Sequence, residues 1–293
     1  MFEGFTEQVI PTTESSVFAR VGGSGPPVLL LHGYPQTGAC WQAVAPALAE
    51  RFTVMVPDLR GYGRSGKPAS DDVHMPYSKR AMATELVEAM SALGHTRFAV
   101  AGHDRGGRVA YRMALDHSEV VTRVAVLDIV PTSTTWEAIN WRSALGSYHW
   151  QFLAQPADLP ERLIGSDPVY YLHNTLQRWA GPGFTFDAEA LAEYESAFKD
   201  PAVIRACCED YRAGASIDYE LDHADFGAGH KIQAPLLSLR GARGGTTDAS
   251  GFRETWQTWC SLPVEAHAVP GGHFLPEESP KETADHLLSF LDK

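Results

Sequence analysis

Six short apolar runs, separated by stretches with helical spacing, constrain the fold of this chain more than any other feature. They are PPVLLLHG (26–33), FTVMVPDL (52–59), FAVAGHD (98–104), VTRVAVLDIV (121–130), APLLSLRG (234–241) and VEAHAVPG (264–271). Runs this short, without apolar–polar alternation, suit strands buried on both faces. Helix-period segments follow several of them, at 38–50, near 77–93, from 105 to 116, and near 280–292. A parallel sheet with helices on both faces is the architecture that satisfies both patterns. Two further segments, EQVIPT and SSVFARV, lie near the start. They add antiparallel edge strands, for eight strands in all.

Residues 131–230 break this rhythm. They are rich in Trp, Tyr and Phe, have helical spacing, and contain no buried-strand run. A structureless loop of that length does not fit a compact domain. The segment reads as a helical cap inserted into an α/β core made of 1–130 and 231–293.

Composition narrows the function. A formal net charge of −12 argues against nucleic acid as a partner, and DRGGR and RGARGG adjoin strand-like runs rather than a low-complexity tail. No apolar run reaches the roughly 18 residues of a membrane span. The opening MFEGFTEQVIP lacks the pattern of a secretory signal, and four cysteines, Cys207 and Cys208 adjacent, do not form a disulfide framework. A cytoplasmic setting is expected. GYGRSG (61–66) matches a dinucleotide-binding pattern in form only, because KPASDD follows it rather than a helix. No zinc signature is present, and no metal or organic cofactor is implied.

The stretch Gly102–His103–Asp104–Arg105–Gly106 fits a sharp strand-to-helix turn that presents a nucleophile between small residues. Asp104 could instead simply cap the helix. Other segments favour chemistry. LHGYPQ (31–36) ends an earlier strand, where the backbone N–H of Tyr34 can join that of Arg105 as an oxyanion hole. PGGHF places His273 after the last strand, where a base belongs in chain order. Asp128, at a strand end, and Asp248, in GGTTD, are both candidates to orient it; the strand-end position favours Asp128.

These residues identify the chain as resembling the α/β-hydrolases over nearly its whole length. An aspartate nucleophile points to dehalogenases or epoxide hydrolases. A carboxylate attacking saturated carbon leaves an ester that water can cleave, whereas serine would leave an ether. Arg105 and Arg108 sit one turn from Asp104, where the helix dipole disfavours cations by about 0.3–1 kcal/mol each. A carboxylate-bearing substrate explains them. Its repulsion from Asp104 at about 4 Å is about 4 kcal/mol at an effective dielectric of 20, and two guanidinium groups offset it.

GHDRGGR, LDIVPT, YHW (148–150), CEDYRAG (208–214) and GGHFLPEE (271–278) together resemble the fluoroacetate (haloacetate) dehalogenases. The resemblance implies Asp104 as nucleophile, Asp128 and His273 as its partners, and Arg105 and Arg108 as the carboxylate clamp. It also implies His149, Trp150 and Tyr211 as donors to the departing halide, with Trp179 lining the pocket. Tyr34 stands where the family often has Phe, which leaves a backbone donor unaffected. The expected reaction converts a small anionic haloacetate and water to glycolate and halide, in a homodimer. Epoxide hydrolysis is the alternative, with cap tyrosines Tyr148, Tyr170, Tyr171 or Tyr211 as acids. A non-catalytic ligand receptor is a weaker one.

Overall fold

The computed structural model describes residues 1–242 and 248–293. The second half of RGARGG lies outside the described residues. Eight strands form one sheet: β1 (Phe5–Pro11), β2 (Ser16–Gly23), β3 (Pro27–Leu31), β4 (Thr53–Pro57), β5 (Phe98–His103), β6 (Val121–Leu127), β7 (Leu236–Gly241) and β8 (Glu265–Val269). Their spatial order is β1-β2-β4-β3-β5-β6-β7-β8. The β1–β2 and β2–β4 pairs are antiparallel and the rest parallel, as the apolar runs predict. All six residues of β5 are buried.

Helices α1 (Ala45–Ala49), α2 (Lys79–Ala92) and α3 (Arg105–Asp116) belong to the first part of the sheet domain. The helix expected across 38–50 is instead a 3-10 turn, Gly38–Trp41, followed by the short α1. Pro46 is the reason: it has no N–H to donate, and its ring clashes with the carbonyl four residues back in a continuous helix.

Between β6 and β7 the chain contains α4 (Thr132–Glu137), α5 (Trp141–Gly146), α6 (Tyr148–Leu153), α7 (Leu159–Ser166), α8 (Pro168–Trp179), α9 (Ala188–Phe198), α10 (Pro201–Gly214) and α11 (Ile217–Gly227). Three of them start on an aspartate whose side chain accepts N–H groups of the first turn: Asp167, Asp187 and Asp200. Proline follows directly in α8 and α10, where its missing N–H costs nothing. The sheet domain closes with α12 (Ser250–Gln257), α13 (Leu275–Glu278) and α14 (Pro280–Leu291).

Strand order reverses between β3 and β5, because the chain runs outward from β3 to β4 and then returns to β3's other side. In open α/β sheets a crevice forms at such a point, outside the carboxyl ends of the strands. Tyr34 and Asp104 follow those two ends. GYGRSG forms a loop in which the Asp58 carboxylate accepts the N–H groups of Gly38 (2.8 Å) and Arg64 (2.7 Å). It is structural. No helix among the described residues is long and apolar enough to cross a membrane.

Candidate active site

The turn between β5 and α3 is closed by backbone contact. A Cβ on Gly102 would lie 2.2 Å from the Gly106 carbonyl oxygen, and one on Gly106 would lie 2.3 Å from that of His32. Opposite them, a Cβ on Gly33 would lie 2.4 Å from that of Asp104. Asp104 itself is held at φ 48° and ψ −117°, a conformation a non-glycine residue adopts only when its surroundings impose it. Its side chain does not cap α3. Instead Oδ1 accepts the Tyr34 N–H at 2.8 Å. Arg105 is the first residue of α3, so its N–H has no acceptor within the helix.

The other carboxylate oxygen of Asp104, Oδ2, faces Nε2 of His273 at 3.7 Å. Nδ1 of His273 is 2.7 Å from Oδ2 of Asp128, whose Oδ1 accepts the Gly241 N–H at 3.0 Å. Asp248 is not at this histidine. It is exposed, and its carboxylate accepts the Ser250 N–H at the start of α12. Burial acts to lower the His273 pKa, but hydrogen bonding to Asp104 and Asp128 outweighs it and raises the value to about 9. Burial likewise acts to raise Asp104, yet the contact and charge of His273 hold its carboxyl well below the usual range. The resting pair is a carboxylate facing an imidazolium.

The two arginines differ. Arg105 is fully buried and forks onto Asp210 of α10: Nε meets Oδ2 at 3.1 Å, while Nη2 meets Oδ1 at 2.6 Å and the backbone oxygen at 2.7 Å. Lys79 and the Tyr62 hydroxyl share that carboxylate. Arg108 donates instead to the Val130 carbonyl (3.0 Å), Thr132 (3.1 Å) and Thr135 (3.3 Å). Its guanidinium lies 4.5 Å from the centre of the Trp150 ring. Among the described residues no carboxylate forms an ion pair with it. Burial, and then the neighbouring Arg105, lower its pKa.

His149 and Trp150 come from α6 and Tyr211 from α10, with ring centres 5.7 Å (His149–Tyr211), 5.8 Å (Trp150–Tyr211) and 6.4 Å (His149–Trp150) apart. The Tyr211 hydroxyl and His149 Nδ1 are buried without a hydrogen-bond partner. Burial holds the imidazole neutral, with its pKa lowered to about 3, and pushes the phenol well up. Trp179 lies beside them, its ring 4.4 Å from that of His149 at a tilt and 5.5 Å from that of His273 edge-on. A cavity of about 580 Å³ is lined by Asp104, Arg108, His149, Trp150, Trp179 and His273, among others. Arg105 and Tyr211 stand behind that lining, Arg105 with its guanidinium 4.2 Å from the Tyr211 ring centre.

These side chains, drawn from both the sheet and the insertion, surround one aspartate at the sharp turn between β5 and α3. Over residues 26–280 the chain matches the family described as alpha/beta hydrolase fold. The chain is an α/β-hydrolase. The hydrolase is 44% identical to a fluoroacetate dehalogenase from Burkholderia sp, over 99% of this chain and 95% of that protein. It is 38% identical to a soluble epoxide hydrolase from Corynebacterium sp. (strain C12), over 92% of this chain and 91% of that one. The solved structure of ALR0039 from Nostoc sp PCC 7120 is 47% identical and covers 99% of both chains, with a TM-score of 0.94.

Sequence reasoning missed Asp210, which engages Arg105, and Lys79 and Tyr62, which share its carboxylate. CEDYRAG contains Asp210, but nothing local to that motif says that its carboxylate turns toward α3.

Proposed function

We propose that this hydrolase converts a haloacetate and water to glycolate and halide. The observation that carries the reading is Arg108: a buried cation, without a carboxylate partner among the described residues, lining the same cavity as Asp104. A buried charge of that kind calls for an anion, and the substrate's carboxylate supplies one. Arg105 adds its remaining donor, Nη1, which is buried without a partner.

In the first step Asp104 Oδ2 attacks the methylene carbon from the side opposite the halogen. The new C–O bond forms as the C–X bond breaks, and the electron pair leaves with the halide. Neutral His149, Trp150 and Tyr211 supply N–H and O–H donors to that anion. In the second step His273 takes a proton from water, whose oxygen attacks the Asp104 carbonyl carbon. The Tyr34 and Arg105 N–H groups stabilise the charge that develops on Oδ1. Collapse releases glycolate, which takes the proton from His273. The proton left on the Asp104 carboxyl then passes to His273 and restores the carboxylate, so each turnover releases one H⁺ to solvent. Esterification also removes one of the two negative charges that raise the His273 pKa. The imidazole therefore gives up its proton more readily once a base is needed.

Epoxide hydrolysis is the second reading, favoured by the likeness to the Corynebacterium enzyme. Of the cap tyrosines, Tyr170 is 68% exposed, and Tyr211 stands at the site without a partner for its hydroxyl. That reading leaves Arg108 without a role. A non-catalytic receptor would have no need of the assembled Asp104–His273–Asp128 geometry. The homodimer is supported by apolar side chains on α5, with Trp141 72% and Leu145 69% exposed.

Halide release from fluoro-, chloro- and bromoacetate by the purified protein, with Asp104→Ala as control, tests the reading. Release that is lost in the variant is expected. No release from any of the three, together with turnover of an epoxide panel, would replace it with the second reading. Sedimentation of the same preparation as a monomer would end the dimer proposal.

A further inference from the structure

We propose that Glu278 is a positioning residue that locks the cap to the loop carrying His273, and that it serves the ester-hydrolysis half of the reaction. The inference rests on the two-step reading above.

Glu278 ends α13, five residues past His273. Its carboxylate accepts three backbone N–H groups: Gly272 at 2.6 Å, Phe274 at 2.8 Å and Gly181 at 2.7 Å. The first two flank His273. The third belongs to the cap, two residues beyond Trp179. The N–H of His273 itself donates to the Trp179 carbonyl at 3.0 Å, so the cap also holds the loop by direct backbone contact. All three N–H groups from Gly272 to Phe274 are thereby engaged by Glu278 or the cap. Hydrogen bonds to an ionised carboxylate are about twice as strong as neutral ones.

The approach leaves no room for a side chain at Gly272, and one at Gly181 would press on the Glu278 carboxylate. A Cβ on Gly272 would lie 2.4 Å from the Gly181 nitrogen, and one on Gly181 would lie 2.7 Å from Oε2 of Glu278. One carboxylate thus sets the catalytic imidazole and the Trp179 wall in a common frame. Its neighbour Glu277 points elsewhere, to Gln36 and to the Tyr194 hydroxyl (3.1 Å).

The two halves of the reaction depend on this frame unequally. Halide displacement uses Asp104, the arginines and the halide donors, and needs no proton transfer by His273. Hydrolysis needs Nε2 aimed at a water beside the ester, and a misplacement of about 1 Å costs about 100-fold. Glu278→Gln keeps the shape of the side chain but turns one carboxylate oxygen into an NH₂ that cannot accept an N–H.

The experiment is rapid-quench measurement of halide and glycolate from chloroacetate with the full chain. It compares the wild type with Glu278→Gln, Gly181→Ala and, as the reference for blocked hydrolysis, His273→Ala. Expected for Glu278→Gln is a halide burst near one per chain at close to the wild-type rate. Turnover should then be about 10- to 100-fold slower, with a glycolyl ester visible in the intact mass. Gly181→Ala, which presses on Glu278 from the cap and alters no catalytic group, should shift the balance the same way. Equal slowing of burst and turnover in both variants, or no change in either, overturns the role of Glu278 while the dehalogenase reading stands. No halide from the wild type overturns that reading, and this inference with it.

Discussion

Arg105 and Arg108 carry the same charge one helical turn apart, yet the fold uses them differently. Arg105 spends most of its donors on Asp210, and Arg108 meets only neutral oxygens. Removing one member of a buried ion pair typically costs about 3–5 kcal/mol, because the remaining charge stays buried. Arg105→Gln is therefore expected to lower the urea midpoint strongly, although Lys79 keeps part of the compensation. Arg108→Gln removes a buried charge with which no carboxylate among the described residues forms an ion pair, so stability should hold or rise. Its cost should fall on kcat/KM for a halo acid, by about 10- to 100-fold, the worth of a hydrogen bond to a charged group. Urea unfolding and steady-state kinetics of both variants check this; equal stability losses would refute the distinction. The sequence reads the pair as a carboxylate clamp, but not its division of labour, since Asp210 lies 105 residues from Arg105.

At the scale of elements, the β5–α3 turn does most to build the site. Its small residues follow from how closely three backbones meet rather than from a need for left-handed glycine. Gly106→Ala tests this, because its methyl group would meet backbone oxygen of His32, which has no rotamer to move. A loss of about 1–3 kcal/mol is expected, the usual range for overpacking, with activity falling alongside as Asp104 shifts. Chemical denaturation together with the halide assay reads both; unchanged stability would show that the turn relaxes freely. This element was readable from its letters because its constraint is local. The stretch 38–50 was not, since helical spacing of apolar residues does not reveal where a proline forces a break.

Across the whole molecule, two buried groups make stability depend on pH in the same direction. His273 is raised to about 9 in the folded chain from an ordinary 6.5. The folded state then holds the proton more tightly, so this contribution is complete below about pH 6.5 and is lost as pH rises to about 9. Glu277, pushed up by burial to about 8 from 4.5, also stays protonated when folded, and it works over a lower window. Buried neutral His103 and His149 act the other way up to about pH 6.5, so the urea midpoint should fall as pH rises from about 6.5 to 9. Glu277→Gln should flatten the decline below about 8, and His273→Gln that between about 6.5 and 9. A wild-type midpoint that rises across this range would contradict both assignments. Some of the molecule was determined by sequence alone: strand and helix alternation, the helical segment that interrupts it, and the placement of Asp104 and His273 after their strands. Those features are encoded in short-range periodicity and in residue types that a single turn requires. Tertiary structure shows that Asp128, which the sequence favoured over Asp248, reaches His273, and it alone decided that Asp210 engages Arg105 and that Glu278 ties cap to loop. Each of these is a contact between segments far apart in the chain: the first forms where β6 and β8 of the sheet end, the other two only where the docked cap meets the sheet.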